Sequence, residues 1–363
     1  MKNGRVIFAE QLRVLAFLSV VITHWIGVFW IHPDVISNIS LAPLMDTTGI
    51  NPYKSILLPV PNWNYGPFGV SIFFLISGFV IPFSLRHKSN SGFIVARLLR
   101  IYPTYIACAI LSILIVYITA TAYWSVTPQF RFLDIIANLS LTHMYFGIKS
   151  IDAVNWTLAI EVMFYIFCVI SRPFIISKNY LQLIISMIVL SVLFKIACAH
   201  LTNNSAINIF ISEVASNYCY MMYMMIGVFF YKHHTGAIDK KSLIFAVTLV
   251  FVLFVASSIY MTNNILTPVV QANYFYGLVI FSIAYYKRNS FRESKVLGYL
   301  ASISYPFYAL HSVIGFCVIR MLFDAGLNFY ASALIAFIAV LGLSHAVHVS
   351  VERKSISIGK LFK

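Results

Sequence analysis

Charge is what this chain has least of: of 363 residues only 10% are Asp, Glu, Lys or Arg, and only 11 are acidic. A soluble domain carries about 25% charged residues, so a molecule wetted over its whole surface is excluded. Internal repeats and low-complexity tracts are missing too, which weighs against a transporter assembled from inverted repeats. The five cysteines, Cys108, Cys168, Cys198, Cys219 and Cys317, lie in or beside apolar segments with no paired or metal-ligand spacing. They imply neither disulfides nor a zinc site. The first apolar segment, Val6 to Trp30, lacks a small-residue cleavage site and carries Arg13 and His24, so it reads as a retained span rather than a removable signal.

What is present is apolar surface. Hydrophobic residues make up 60% of the chain and mean hydropathy is +0.87, which identifies an all-α polytopic membrane protein. Segments long enough to span, at about 20 residues each, are 7–30, 66–86, 94–122, 154–172, 180–200, 213–232, 242–261, 266–286, 297–323 and 329–350. About ten transmembrane helices are therefore expected. An eleventh stretch, 132–148, is shorter and holds Asp134, Asn138 and His143. The excess of 25 Lys and Arg over 11 acidic residues need not mean nucleic acid, because membrane proteins gather basic residues in cytoplasmic loops. If 132–148 does not cross and the N-terminus is cytoplasmic, twenty of the 25 basic residues fall inside, leaving Lys54, Arg131, Lys149, Lys195 and Arg320. A full crossing would move the clusters at 232, 287 and 353 outside, so 132–148 is expected to be re-entrant or surface-lying, with both termini cytoplasmic.

Polar residues inside apolar segments mark the candidate site, since an Arg at mid-bilayer costs about 2.5–3.5 kcal/mol on insertion scales. Arg13 and His24 are eleven residues apart and share one helix face, about 16 Å apart in depth. The bland alternative is a snorkelling arginine and a hydrogen-bonded core histidine. Arg97 and Arg100, followed by Tyr102, lie on one face at the cytoplasmic boundary. They suit a phosphorylated cytosolic ligand, because planar guanidinium forks match phosphate oxygens, or equally a lipid phosphate. In NWTLAIEVMFY, Trp156 and Glu161 open the fourth span. Counted from the ends of their segments, Glu161 and His24 lie about 10 and 9 Å below the outer surface, so a His–carboxylate pair acting as general base and orienter is expected. The other reading of Glu161 is a structural carboxylate bonded to Trp156 or Tyr165.

Three further stretches contribute. GPFGVSIFFLISGFVIP, Gly66 to Pro82, offers Gly66, Gly69, Ser71, Ser77 and Gly78 for close approach of a ligand or simply of another helix. Tyr305, Tyr308 and His311 stand on the ninth span, and His345, His348 and Glu352 form a polar stripe at the inner end of the last. Glu213, Lys195 and His200 sit near outer span ends, where snorkelling accounts for them. The loop His32 to Tyr65 is too long for a plain connection, with five prolines, Asp34, Asp46, Tyr53, Trp63 and Tyr65. Its aromatics can hold a sugar or anchor at the interface.

The order Arg13 and His24, GPFGVSIFFLISGF, Arg97 with Arg100 before IYPTY, NWTLAIEVMFY, ISYPFYALH and a terminal VERKSISIGK resembles the acyltransferase-3 family of integral-membrane O-acyltransferases, over nearly the whole chain. The resemblance implies that Arg13 and His24 are the family's functional pair, Arg97 and Arg100 its cytoplasmic double arginine, and Trp156 with Glu161 its aromatic–carboxylate motif. It departs at Ser71, where an acidic residue often precedes the two phenylalanines, and at Glu10 and Gln11, where Asp often precedes Leu-Arg; the role of that acidic residue is not carried over. Also implied by the resemblance is one membrane acyltransferase domain over 1–363 without a fused soluble domain, in a bacterial inner membrane. Acetyl-CoA would be the donor, with no bound cofactor or metal, and a surface or lipid-linked glycan the acceptor. Membrane lipids, not nucleic acid, would be its surroundings. The expected reaction puts His24, Glu161 and Arg13 at the chemistry and Arg97, Arg100 and Tyr102 on the donor. Ser71, Ser77, Gly78, Trp156, Tyr305 and His311 are further site candidates. The rival readings are a flippase for a lipid-linked glycan, and an enzyme acylating a small lipid, peptide or antibiotic.

Overall fold

A computed structural model describes residues 6–199, 206–261 and 267–362; Lys2, Arg5, His200 and Lys363 lie outside the described residues. The described chain is all-helical, without strands. The helices that frame the site are α1 (Ile7–Ile31), α2 (Tyr65–His87), α3 (Asn90–Ala122), α4 (Phe132–Leu139), α5 (Asn155–Ile170), α6 (Tyr180–Ala199), α7 (Ala206–His234), α8 (Lys240–Met261), α9 (Pro268–Tyr286), α10 (Lys295–Leu310), α11 (Val313–Asp324) and α12 (Phe329–Gly359). Among the described residues six helices are long and apolar enough to cross a membrane: α1, α2, α3, α6, α8 and α12. The pair α10 and α11, bent by 71° at a short break, makes a seventh if it counts as one span.

The expected ten spans are thus not reached by length and composition. Helices α7 and α9 are long enough, but α7 carries Asn208, Ser212, Glu213 and Asn217, and α9 carries Gln271 and Asn273. Partners inside the bundle satisfy such groups: the α7 stretch from Ala215 to Lys232 is buried almost without interruption, Asn217 donates to Tyr145 Oη at 2.8 Å, and on the buried side of α9 Asn273 donates to the Val269 and Asn62 carbonyls. Burial against protein rather than lipid removes the need for a uniformly apolar helix.

Helix α1 has two apolar faces. Phe8, Ala9, Leu12, Ala16 and Val20 pack into one buried cluster with α2, α7, α8 and α9. Val14, Phe17, Val21, Trp25 and Phe29 pack into a second with α10, α11 and α12. The two sets follow the helical repeat, so Arg13 and His24 fall at the seam between halves of the bundle. Helix α2 is the hub of the first half. A Cβ on Gly78 would collide with the Met224 carbonyl of α7, one on Gly69 with the Ala16 carbonyl of α1, and one on Gly277 of α9 with Ser71.

The 132–148 stretch is not one spanning-length helix. It forms α4 and a single 3-10 turn, His143–Phe146, with Phe132, Leu133, Ile136 and Phe146 exposed. Its inner side descends into the bundle: Tyr102 Oη donates to the Ser140 carbonyl (3.0 Å) and Tyr105 Oη to the Asn138 carbonyl (3.1 Å). Tyr105 lies seventeen residues, about 25 Å, from the far end of α3 at Ala122, so the segment packs well along α3 from that end. Irregular backbone survives in an apolar layer only when its polar groups find protein partners. Asn138, fully buried, supplies them. Its amide donates to the Asp134 and Lys149 carbonyls, and its carbonyl oxygen accepts from Ile151 N–H and from Asn155. Asn138→Leu orphans the Lys149 carbonyl and the Ile151 N–H, at about 1–3 kcal/mol each. The expected outcome is a lower melting temperature in detergent and poor recovery of folded protein; an unchanged melting temperature would remove Asn138 from that role.

Candidate functional site

The site runs along the seam from an arginine end to the opposite, loop end, where residues 41–64 cover the bundle. At the arginine end, Arg97 lies over the rings of Phe93 (5.5 Å) and Tyr165 (5.7 Å). Tyr165 Oη donates to Glu161 Oε1 at 2.6 Å. Arg13 stands within electrostatic range of Arg100, Glu161, Glu10 and Glu352. His348 Nδ1 meets Glu352 Oε2 at 2.6 Å across one turn of a π-helical segment, His348–Glu352. No hydrogen bond or salt bridge among the described residues engages the guanidinium of Arg13, Arg97 or Arg100. Three partly buried cations held close together without direct counter-ions make an anion trap, because an unpaired charge away from water is costly until a ligand supplies its partner.

Toward the loop end, a π-helical turn, Thr23–Val28, interrupts α1 and carries His24 and Trp25; such turns are frequent at functional sites. Both residues reach the break between α10 and α11. A break inside an apolar bundle frees backbone carbonyls that must be satisfied. Trp25 Nε1 donates to the His311 carbonyl at 2.9 Å, with room made by the absence of a side chain at Gly315. His311 Nδ1 is 2.7 Å from the Tyr308 carbonyl, and His311 Nε2 is 2.8 Å from His24 Nδ1. A carbonyl only accepts, so His311 Nδ1 carries the proton and its Nε2 is the lone pair. That lone pair accepts from His24 Nδ1–H. With both rings neutral, His24 Nε2 is left as a free base.

Two cavities lie between these ends. The inner one, about 70 Å³, is bounded by Ser77, Thr157, Glu161, Tyr305 and Tyr308. The outer one, about 200 Å³, is bounded by His24, Thr23, Asn64, Trp156, Tyr220 and Tyr274. Val70 and Tyr308 belong to both walls, and Tyr308 Oη is held by Thr157 Oγ1 at 2.9 Å. Over the outer cavity Tyr53 Oη bonds Thr23 Oγ1 (2.9 Å) and Asn64 Oδ1 (3.1 Å). The covering loop is therefore tied to the π-helical turn.

The sequence-expected residues separate accordingly. His24 does not pair with Glu161. Glu161 sits at the level of Arg13 and Arg97, because α5 starts inside the bundle, where Asn155 bonds Tyr105 and Asn138, not at the membrane surface from which its depth was counted. His24 meets His311 instead. Tyr102 turns to Ser140 and away from the arginines. Ser71 donates to the Phe68 carbonyl at 2.7 Å against Gly277, and Gly78 packs on α7; both lie at helix crossings. Ser77 and Tyr305 line the inner cavity and Trp156 the outer one, while Tyr305 Oη donates to the Ile101 carbonyl. Trp63 of the loop is packed among Tyr65, Phe68 and Tyr276, which is an anchoring role. Thr157, Tyr220 and Tyr274 were not singled out, and nothing distinguishes these two tyrosines among 22 until the helices assemble.

A family model described as an acyltransferase domain matches residues 6–349. Comparisons with curated proteins and with solved structures return no match. The anion trap leads to a direct expectation. Arg97→Lys keeps the charge but loses the planar fork, and with Arg100→Ala it should weaken binding of CoA, measured by calorimetry on the purified protein, by about tenfold or more, the worth of one charge-assisted hydrogen bond. Unchanged affinity in both would assign the arginines to lipid phosphates.

Proposed function

The chain belongs to the acyltransferase-3 family, and from that premise we propose that it moves an acetyl group from cytoplasmic acetyl-CoA to a hydroxyl of a surface or lipid-linked glycan on the opposite side of a bacterial inner membrane. The observation that supports this reading most directly is the line from three guanidiniums without direct counter-ions, through two cavities sharing Val70 and Tyr308, to the lone pair on His24 Nε2. Arg13, Arg97 and Arg100 hold the donor's phosphates, and its thioester reaches inward past Glu161 and Tyr305. The acceptor enters from the loop end. The basic residues of α2–α3 and α9–α10 lie on the cytoplasmic side in this orientation.

His24 Nε2 takes the proton of the acceptor hydroxyl as its oxygen attacks the thioester carbonyl. The C–O ester bond forms, the C–S bond breaks, and the proton passes from His24 to the departing thiolate to give CoA-SH. While His24 is an imidazolium, its Nδ1–H donates to the His311 lone pair, a hydrogen bond that strengthens as charge develops. His311 is a positioning residue. Its own proton stays on Nδ1 against the Tyr308 carbonyl, so the pair can pass a proton at one place only.

His24→Ala should lower turnover by about 100- to 10,000-fold, the usual worth of a general base, with CoA binding unchanged. His311→Ala should lower it less, and the double variant should be scarcely worse than His24→Ala alone, as for groups acting as a unit. The assay is transfer of radiolabelled acetyl with release of free CoA by the purified, reconstituted protein, which a flippase would not produce. A fully active His24→Ala protein would overturn the mechanism.

A further inference from the structure

The outer cavity has a chemical character that the reaction alone does not require. Among the described residues its wall contains no Lys, Arg, Asp or Glu. Trp156 and Tyr220 lie 5.3 Å apart, and Tyr220 and Tyr274 6.1 Å apart, as a continuous aromatic wall. Tyr274 is buried, and its hydroxyl has no hydrogen-bond partner among the described residues. It cannot turn away to find one. Its ring stacks on Phe254 (5.3 Å, 19°) and meets Tyr223 edge-on at 4.6 Å, while Tyr223 Oη clamps the Tyr274 carbonyl at 2.7 Å. A buried hydroxyl left unsatisfied is destabilising and calls for an explanation. Asn64 adds a second donor. Its Oδ1 is occupied by Gly66 N–H, Tyr53 and Thr23, which leaves its amide N–H groups without a partner among the described residues.

We propose that this cavity binds an uncharged, polyhydroxylated ring, a neutral sugar unit of the acceptor, and that Tyr274 is a specificity-determining residue that donates to one of its oxygens. This rests on the acyl-transfer reading only for the word acceptor; the binding site stands on the cavity itself. The aromatic wall takes the C–H face of the ring, Tyr274 and Asn64 donate to its oxygens, and His24 Nε2 accepts from one hydroxyl. A uronic or sialic acid is disfavoured. Its carboxylate would be buried with no cation in the wall, at a large desolvation cost.

The test is equilibrium binding of radiolabelled octyl glucoside, octyl galactoside and octyl mannoside against octyl glucuronide and octyl galacturonide, on the full chain in lipid nanodiscs. At least one neutral glycoside should bind about 100-fold more tightly than its uronide, the least that burying an unpaired carboxylate costs. Tyr274→Phe should weaken that binding about three- to tenfold, the worth of one neutral hydrogen bond, without lowering the melting temperature, since no hydrogen bond is lost in the empty protein. Uronides binding as well as neutral glycosides, no binding of any neutral glycoside, or unaltered binding in Tyr274→Phe would each overturn the proposal. A parallel assay of CoA release separates the two claims. Neutral glycosides that bind without any CoA release uphold the site and refute acyl transfer, whereas acetyl transfer with indifferent or uronide-preferring binding upholds the enzyme and refutes the site.

Discussion

Helix α2 is placed so that three other helices touch it at backbone distance, and the architecture depends on that packing. Gly69 meets α1, Gly78 meets α7, and Ser71 fits against Gly277 of α9. In a lipid environment, helix association draws little from the hydrophobic effect and rests on such contacts between small residues. The remaining face of α2, at Val70, Phe73 and Ser77, follows the same helical repeat and is the face that lines the inner cavity. Close packing on two sides and open space on the third come from one stretch of sequence, Gly66 to Gly78. A larger residue at any of the three small positions would shift a neighbouring helix and with it the walls of both cavities.

Much of this was legible beforehand. Composition identified a helical membrane protein, the shorter stretch 132–148 with its polar residues stood apart from the long apolar segments, the cost of burying arginine drew attention to Arg13, and a shared helix face drew attention to Arg97 and Arg100. The partner of His24 was not legible. Counting depth from the start of an apolar segment assumes that the segment begins at the membrane surface, and α5 begins instead at a buried turn held by Asn138 and Tyr105. That shifted Glu161 toward the arginines. The span count exceeded what length and composition support for a related reason, because α7 and α9 carry polar groups such as Asn217 and Asn273 that are buried against protein. Tyr274 and Tyr220 carry no local signal at all; their role comes from where α7 and α9 put them.

The seam has a gradient of polarity along its length. Among the described residues, three cations without direct counter-ions lie at one end, the Glu161 carboxylate held by a phenol comes next, and the far cavity has no formal charge in its wall. An ionic, hydrated group is therefore favoured at the first end and a neutral one at the last. Between the two ends lies a narrow inner cavity beside Tyr308, too small for anything bulky.

The carbonyl of Tyr308 has a consequence for how such a protein can change over generations. It fixes the tautomer of His311 and so the direction in which the two imidazoles point their protons. A main-chain oxygen is carried by every amino acid, so no codon change at position 308 deletes it, and the phenol there can be exchanged to reshape the cavity while the orientation of the proton survives. Reversing that orientation would require rebuilding the bend between α10 and α11. Drift in the lining is thus uncoupled from the orientation of the two imidazoles, and the cavity can change shape while His24 Nε2 keeps its lone pair.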